Sequence, residues 1–109
     1  MTTALSIQTE RDFESAVYAW ARLRGWRCYH PRPARIRDEG WRTALRGDTG
    51  WPDWVFVREG RMVVLELKSM RGKATREQRE WIRELAEVPG VVARVVTPAG
   101  WDWVEQALR

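Results

Sequence analysis

Residues 50–68 carry the groups best able to do chemistry: a carboxylate at Asp53, then a Glu-x-Lys pair at Glu66 and Lys68. The apolar residues between them read as a β-hairpin turning at Glu59-Gly60. With a two-residue turn, Arg58 faces Arg61 and Asp53 falls directly opposite Glu66, with β-carbons roughly 4.5–5.5 Å apart. Lys68, two residues further on, points to the same face. Like charges opposed across a sheet are destabilising. A divalent cation between them would remove that cost, with the lysine beside it. The chemistry open to such a set is metal-assisted hydrolysis of a phosphodiester. The register depends on the turn, because a bulge at Gly60 would shift the pairing by one residue and separate the two acids.

Each acid also has a purely structural explanation. Asp53 follows Pro52 and could simply close a turn. Glu66 interrupts the apolar run Met62–Leu67, where a strand buried on both faces calls for an apolar residue. A buried carboxylate needs a cation. Lys68 or an arginine could supply it as a structural ion pair, and a metal is the alternative. Mg2+ or Mn2+ suits the donors, since these ions take carboxylate and carbonyl oxygens and are commonly held by one or two carboxylates plus substrate phosphate. The backbone carbonyl of Leu67 would add a third oxygen to those of Asp53 and Glu66. Lys68 would then orient the attacking water or stabilise developing negative charge.

The elements that must hold these groups are legible in outline. Thr9-Glu10-Arg11-Asp12 reads as a helix start, and Phe13, Ala16, Val17, Trp20 and Ala21 form an apolar stripe ending near Gly25. Trp26–His30 is a short strand, and Asp53–Arg58 with Arg61–Lys68 make the hairpin. Its residues are apolar on both faces apart from the acids and lysine, which predicts strands covered on both sides. Thr75-Arg76-Glu77-Gln78 is a capping box opening a second helix, with Trp81, Ile82 and Leu85 on one stripe. Gln78 continues that stripe backward, although the cap alone explains a glutamine there. Val91–Thr97 is a β-branched strand, parallel to Arg61–Lys68 if the intervening helix crosses over in the usual way. Gly100–Leu108 closes the chain as a short helix. The expected fold is α/β, with an αβββαβ core and a mixed sheet of about four strands flanked by helices.

At 109 residues the chain reads as one domain. A single cysteine, Cys28, excludes an internal disulfide and a cysteine-rich zinc site. The first residues lack the basic-then-apolar order of a signal peptide, and no apolar run is long enough to span a membrane, so a reducing, cytoplasmic setting is expected. Net charge is +4, carried almost wholly by arginine. Arginine's planar fork suits phosphate and stacks on bases, so nucleic acid is a reasonable partner and simple solubility the competing explanation.

Residues 31–52 show no clear period and are longer than an ordinary connection. Arg32, Arg35, Arg37, Arg42 and Arg46 lie in this segment, interleaved with Trp41. These are pieces for phosphate clamping and base stacking, though Asp38, Glu39 and Asp48 dilute the charge and a solvated loop is the alternative. Lys73 and Arg71 follow Lys68 and would line the same edge. His30, at the end of the first strand, could contact phosphate or shuttle a proton. Of eight tryptophans, Trp20, Trp54 and Trp81 are expected in the core, while Trp41 or Trp51 could stack on a splayed base.

Pro52-Asp53, a twelve-residue spacer and Glu66-Leu67-Lys68 together resemble the PD-(D/E)xK nuclease superfamily. The αβββαβ order is similar to its restriction-endonuclease-like core. Gly50-x-Pro52-Asp53, then Glu66-x-Lys68, then Thr75-x-x-Gln78 before a tryptophan-bearing helix resembles the VRR-NUC (virus-type replication-repair nuclease) branch, over roughly residues 10–97. The resemblance implies that Asp53 and Glu66 bind metal, that Lys68 is catalytic, and that Gln78 belongs to the active site. It also implies an acidic residue on the first helix. Glu14, about 100° from Phe13 on the helical wheel, is the best match, as a ligand directly or through water, with Glu10 as the fallback. The implied activity is structure-selective cleavage of branched, junction or nicked DNA by a homodimer, as in the minimal viral and bacterial members. A non-catalytic nucleic-acid-binding module, its acids and lysine forming a structural network, is the competing reading.

Overall fold

The computed structural model describes residues 9–31 and 46–109 in full, together with the backbone of residues 34–36 and 40–42. Helix α1 (Glu10–Leu23) starts where Thr9 Oγ1 accepts the Asp12 N–H at 3.0 Å. It buries Phe13, Val17 and Ala21 completely, with Ala16 and Trp20 partly covered beside them. Strand β1 (Arg27–Tyr29) follows Gly25, whose φ of +83° is the left-handed conformation expected just past a helix end.

The hairpin of β4 (Trp54–Arg58) and β5 (Arg61–Leu67) turns on Glu59 and Gly60, both at positive φ, +50° and +77°. Two left-handed central residues make the tight turn whose twist matches antiparallel strands. Arg58 pairs with Arg61 and Trp54 with Leu65, so no bulge intervenes. Helix α2 (Arg76–Ala86) opens on the full capping box: Thr75 Oγ1 accepts the Gln78 N–H, and Gln78 Oε1 accepts the Thr75 N–H. Strand β6 (Val91–Val96) lies parallel to β5, and helix α3 (Trp101–Ala107) follows one 3₁₀ turn.

The main sheet has the order β1-β4-β5-β6, with β5–β6 the parallel pair. It is thus a mixed α/β fold with the αβββαβ core and a four-stranded mixed sheet flanked by three helices. Trp54, Phe56, Val63, Leu65 and Leu67 point to one face and pack with α1 and α3. Each large apolar side chain so buried contributes roughly 1.5–3 kcal/mol. The Trp26 indole N–H donates to the Leu108 carbonyl at 2.9 Å. Arg58 covers the same indole at 4.4 Å and donates to the carbonyls of Arg24 and Arg109, fastening the last helix to the hairpin. None of the described helices is long and apolar enough to cross a membrane.

Three expectations are corrected. Residues 31–52 are not devoid of regular structure: β2 (Ala34–Ile36) and β3 (Gly40–Arg42) pair antiparallel as a separate sheet. Strands of three residues hold too little of a period-two pattern to stand out in sequence. Of the hairpin strands, β5 is covered on both faces from Val63 to Leu67, but β4 is not. Helix α2 packs on β5 and β6, and Val57 of β4 stays 43% exposed on that side. Lastly, Trp20 and Trp81 are half-buried rather than core, while Trp26 and Trp101 are buried. Trp81 sits on the helix that only partly covers the sheet, and its indole N–H serves a loop carbonyl instead.

Candidate functional site

The approach to Asp53 is pinned against α2. Gly50 has φ +96°, and a β-carbon there would lie 2.6–2.9 Å from backbone and Cβ atoms of Glu77 and Gln78. Only glycine satisfies both demands without displacing the helix start. One residue earlier, the Thr49 carbonyl accepts the Trp81 indole N–H at 2.9 Å, and Trp51 meets Trp81 edge-on with centroids 5.0 Å apart. Pro52 is buried. Asp53 therefore emerges from a loop held on both sides.

Asp53 sits one step before the Trp54–Leu65 pair and so lies across from Glu66. Its backbone N–H donates to Glu66 Oε1 at 3.1 Å. Val63, Leu65 and Leu67 face the main core, so alternation turns Val64, Glu66 and Lys68 to the opposite face. Glu66 is 1% exposed, the one buried charged side chain among the described residues. Its Oε2 lies 3.2 Å from Lys68 Nζ. Burial, followed by the negative charge of Asp53, pushes the Glu66 carboxyl up to about 7, and Lys68 opposes the shift without cancelling it. The site thus holds a carboxyl poised between its two protonation states near neutrality. The opposed acids are a real electrostatic cost that one ammonium group offsets only in part.

Two acids of α1 join them from the other side. Carboxylate oxygens of Glu10, Glu14 and Asp53 all lie within 4.8 Å of one another. Glu10 and Glu14 are one helical turn apart and project from the same edge of α1. Both reach Asp53, so the fallback residue sits beside the preferred one. Glu14 is half-buried, and its carboxyl is raised by desolvation and by the charges of Asp53 and Glu10, against the pull of His30. His30 Nδ1–H donates to the Asp53 carbonyl at 2.8 Å, because a carbonyl can only accept. Its ring stacks on Trp54 at 4.4 Å and 7°. His30 thus braces Asp53 through the backbone, a positioning role that the sequence did not suggest.

The donor set is of the kind a hard divalent cation takes: every candidate ligand is oxygen, and those of Glu10, Glu14 and Asp53 lie within 4.8 Å of one another. Asp53 is the corner shared by this trio and the Glu66–Lys68 pair. Leu67 is buried and pairs with Val96, which places its backbone beside Glu66 at the end of β5. Gln78 stands at the start of α2 with its carboxamide oxygen accepting the Thr75 N–H.

The basic residues are described unevenly. Arg46 and Lys73 are exposed, on loops entering and leaving this end of the sheet. Arg32 and Arg37 lie outside the described residues, as do the side chains of Arg35, Trp41 and Arg42; in backbone, Arg35 pairs with Trp41 and Ala34 with Arg42. Sequence reasoning missed Gly50 as a packing contact, Trp81 as its anchor, and the part of His30 in holding Asp53. The one available signal was Gly-x-Pro before an acid, which marks a constrained turn but not its partner. No family model, curated protein or solved structure matches the chain.

Proposed function

We propose that this chain is a metal-dependent endodeoxyribonuclease, using Mg2+ or Mn2+, that hydrolyses phosphodiester bonds in branched or junction DNA. The observation that carries the reading is Glu66: a buried carboxylate set against Asp53, with Lys68 Nζ at 3.2 Å. A protein gains nothing in stability from opposing two acids in a sheet, so the arrangement makes sense as a site. Asp53 and Glu66 would hold the ion, with Glu14 or Glu10 completing the oxygen set and the Leu67 carbonyl adjacent. A bound divalent ion supplies Lewis-acid polarisation of the phosphate and a more acidic water. Lys68 holds a positive charge where negative charge develops on the phosphate, and His30 keeps Asp53 in place. Arginines of residues 32–46 and Lys73 would carry the DNA backbone. A homodimer would present two such sites to opposite strands.

A second reading has a specific observation in its favour. Glu66 already receives a backbone N–H and an ammonium group, so its needs are met in part without a metal. A non-catalytic nucleic-acid-binding module would have such a network. Plasmid nicking with Mg2+, Mn2+ or EDTA separates the two. The nuclease reading expects cutting that requires the metal and disappears in Glu66→Ala. Cutting that survives EDTA or Glu66→Ala sinks the metal assignment, and binding of branched DNA without cutting under either metal favours the module. Duplex, flap, fork and four-way-junction substrates compared side by side then read out selectivity.

A further inference from the structure

A cleft of about 660 Å³ opens beside the acidic corner, between α1 and the edge strand β1. Arg11, Glu14, Ser15 and Tyr18 form its helical wall, spaced so that all four project from one side of α1. Cys28 and His30 form the strand wall, and Trp54 lies between. Its volume is in the range of small-molecule sites.

The chemistry of the walls is that of a nucleotide site. Trp54, Phe56 and His30 make a set of nearly parallel rings, with His30 and Phe56 at 7° and 3° to Trp54. Of these, His30 and Trp54 line the cleft together with Tyr18, whose ring lies 5.5 Å from Trp54, tilted 36° to it, and is 44% exposed. A flat heterocycle entering here meets the rings of His30 and Tyr18, backed by Trp54. Polar groups line it as well: a guanidinium on Arg11, a hydroxyl on Ser15, a carboxylate on Glu14 and the imidazole of His30. The Trp54 indole N–H is buried without a hydrogen-bond partner of good geometry, although it is near enough to Glu14 to favour that carboxylate's charged form. Such a donor gains from a ligand acceptor.

We propose that this cleft receives one unpaired nucleotide of the DNA strand, its base against His30 and Tyr18 and its phosphate toward Arg11. The inference rests on the nuclease reading for its substrate, and it supplies that reading with a source of selectivity. Because Glu14 belongs to both the cleft and the acidic corner, a base seated here lies next to the scissile phosphate. Uninterrupted duplex cannot offer such a base without the cost of unstacking, whereas a flap or fork can.

The test is fluorescence anisotropy in EDTA, so that binding is read without cleavage. The probes are a labelled oligothymidylate and a labelled blunt duplex. Ser15→Trp, an exposed helical position, fills the cleft, and Tyr18→Ala removes its exposed ring. Base–aromatic stacking is worth about 1–3 kcal/mol per base, so each variant should weaken oligothymidylate binding by roughly 5- to 150-fold. Duplex affinity should stay unchanged, and Tyr18→Phe should restore the loss. Should Ser15→Trp fail to fold by circular dichroism, the Tyr18 pair decides. Equal loss on both probes, no loss on either, or no binding of oligothymidylate by the wild type overturns the proposal. Failure of nicking with these losses intact would instead remove the nuclease reading and leave the nucleotide cleft standing.

Discussion

Glu66 is where residue chemistry should be most visible in solution. Its carboxyl is raised to about 7, well above the ordinary 4.5, so the folded protein holds a proton there that the unfolded chain has already released. The folded state binds more protons between those values, so the Glu66 contribution to metal-free stability is fully present below about 4.5 and is lost as pH rises through 7, a fall of ~3 kcal/mol. Metal binds the carboxylate form, so stabilisation by Mg2+ should grow over the same window. Urea unfolding with and without Mg2+ across pH checks both slopes, and parallel curves would refute the assignment. Asp53→Asn removes the charge opposite Glu66. It should flatten the metal-free pH dependence and weaken Mg2+ binding by calorimetry at least about tenfold. Lys68→Ala should keep DNA affinity within about twofold while lowering the cutting rate by about 10²–10³. Equal losses in binding and cutting would make Lys68 a binding residue. The positions of Asp53, Glu66 and Lys68 stood out in sequence because a charge inside an apolar strand run is a local anomaly. The service of His30 to Asp53 did not, since it depends on a hydrogen bond to a backbone atom 23 residues away.

Among the elements, the loop-to-helix contact positions the acid and the hairpin fixes what it faces. Gly50→Ala would force a β-carbon into the Glu77–Gln78 backbone at an unfavourable φ, and should cost about 2–4 kcal/mol. Thr75→Ala, which removes only one half of the capping box, should cost about 1 kcal/mol. Chemical denaturation ranks the two. A Gly50 variant no worse than the Thr75 variant would show that the loop is not held as described. The cap was readable because its partners are three residues apart, and the turn because Glu59-Gly60 sits between two apolar runs. The β2–β3 pair was unreadable at three residues per strand. Trp81 was misplaced because an apolar stripe tells which side of a helix faces protein but not how much protein is there.

Taken whole, the molecule is basic. Acids gather at Asp53, while the formal excess of +4 rests on arginines, several of them in residues 32–46. If those arginines carry DNA, affinity for a forked substrate should fall steeply with salt: raising NaCl fourfold should cost roughly 40- to 500-fold for about three to five phosphate contacts. A salt-insensitive affinity would place recognition elsewhere. Light scattering across the working concentration range tests the homodimer directly, and a strictly monomeric protein that still cuts would remove it.

Sequence by itself determined the α/β order, the capping box, the two-residue turn and hence the register that sets Asp53 across from Glu66. All of these follow from interactions between near neighbours in the chain. Tertiary structure decided which groups gather around Asp53. It brought Glu10 and Glu14 to Asp53, pressed Gly50 onto α2, stacked His30 on Trp54, and left a cleft along β1. Those distances are set by how helices of particular widths pack on opposite faces of one sheet, and no local pattern encodes them.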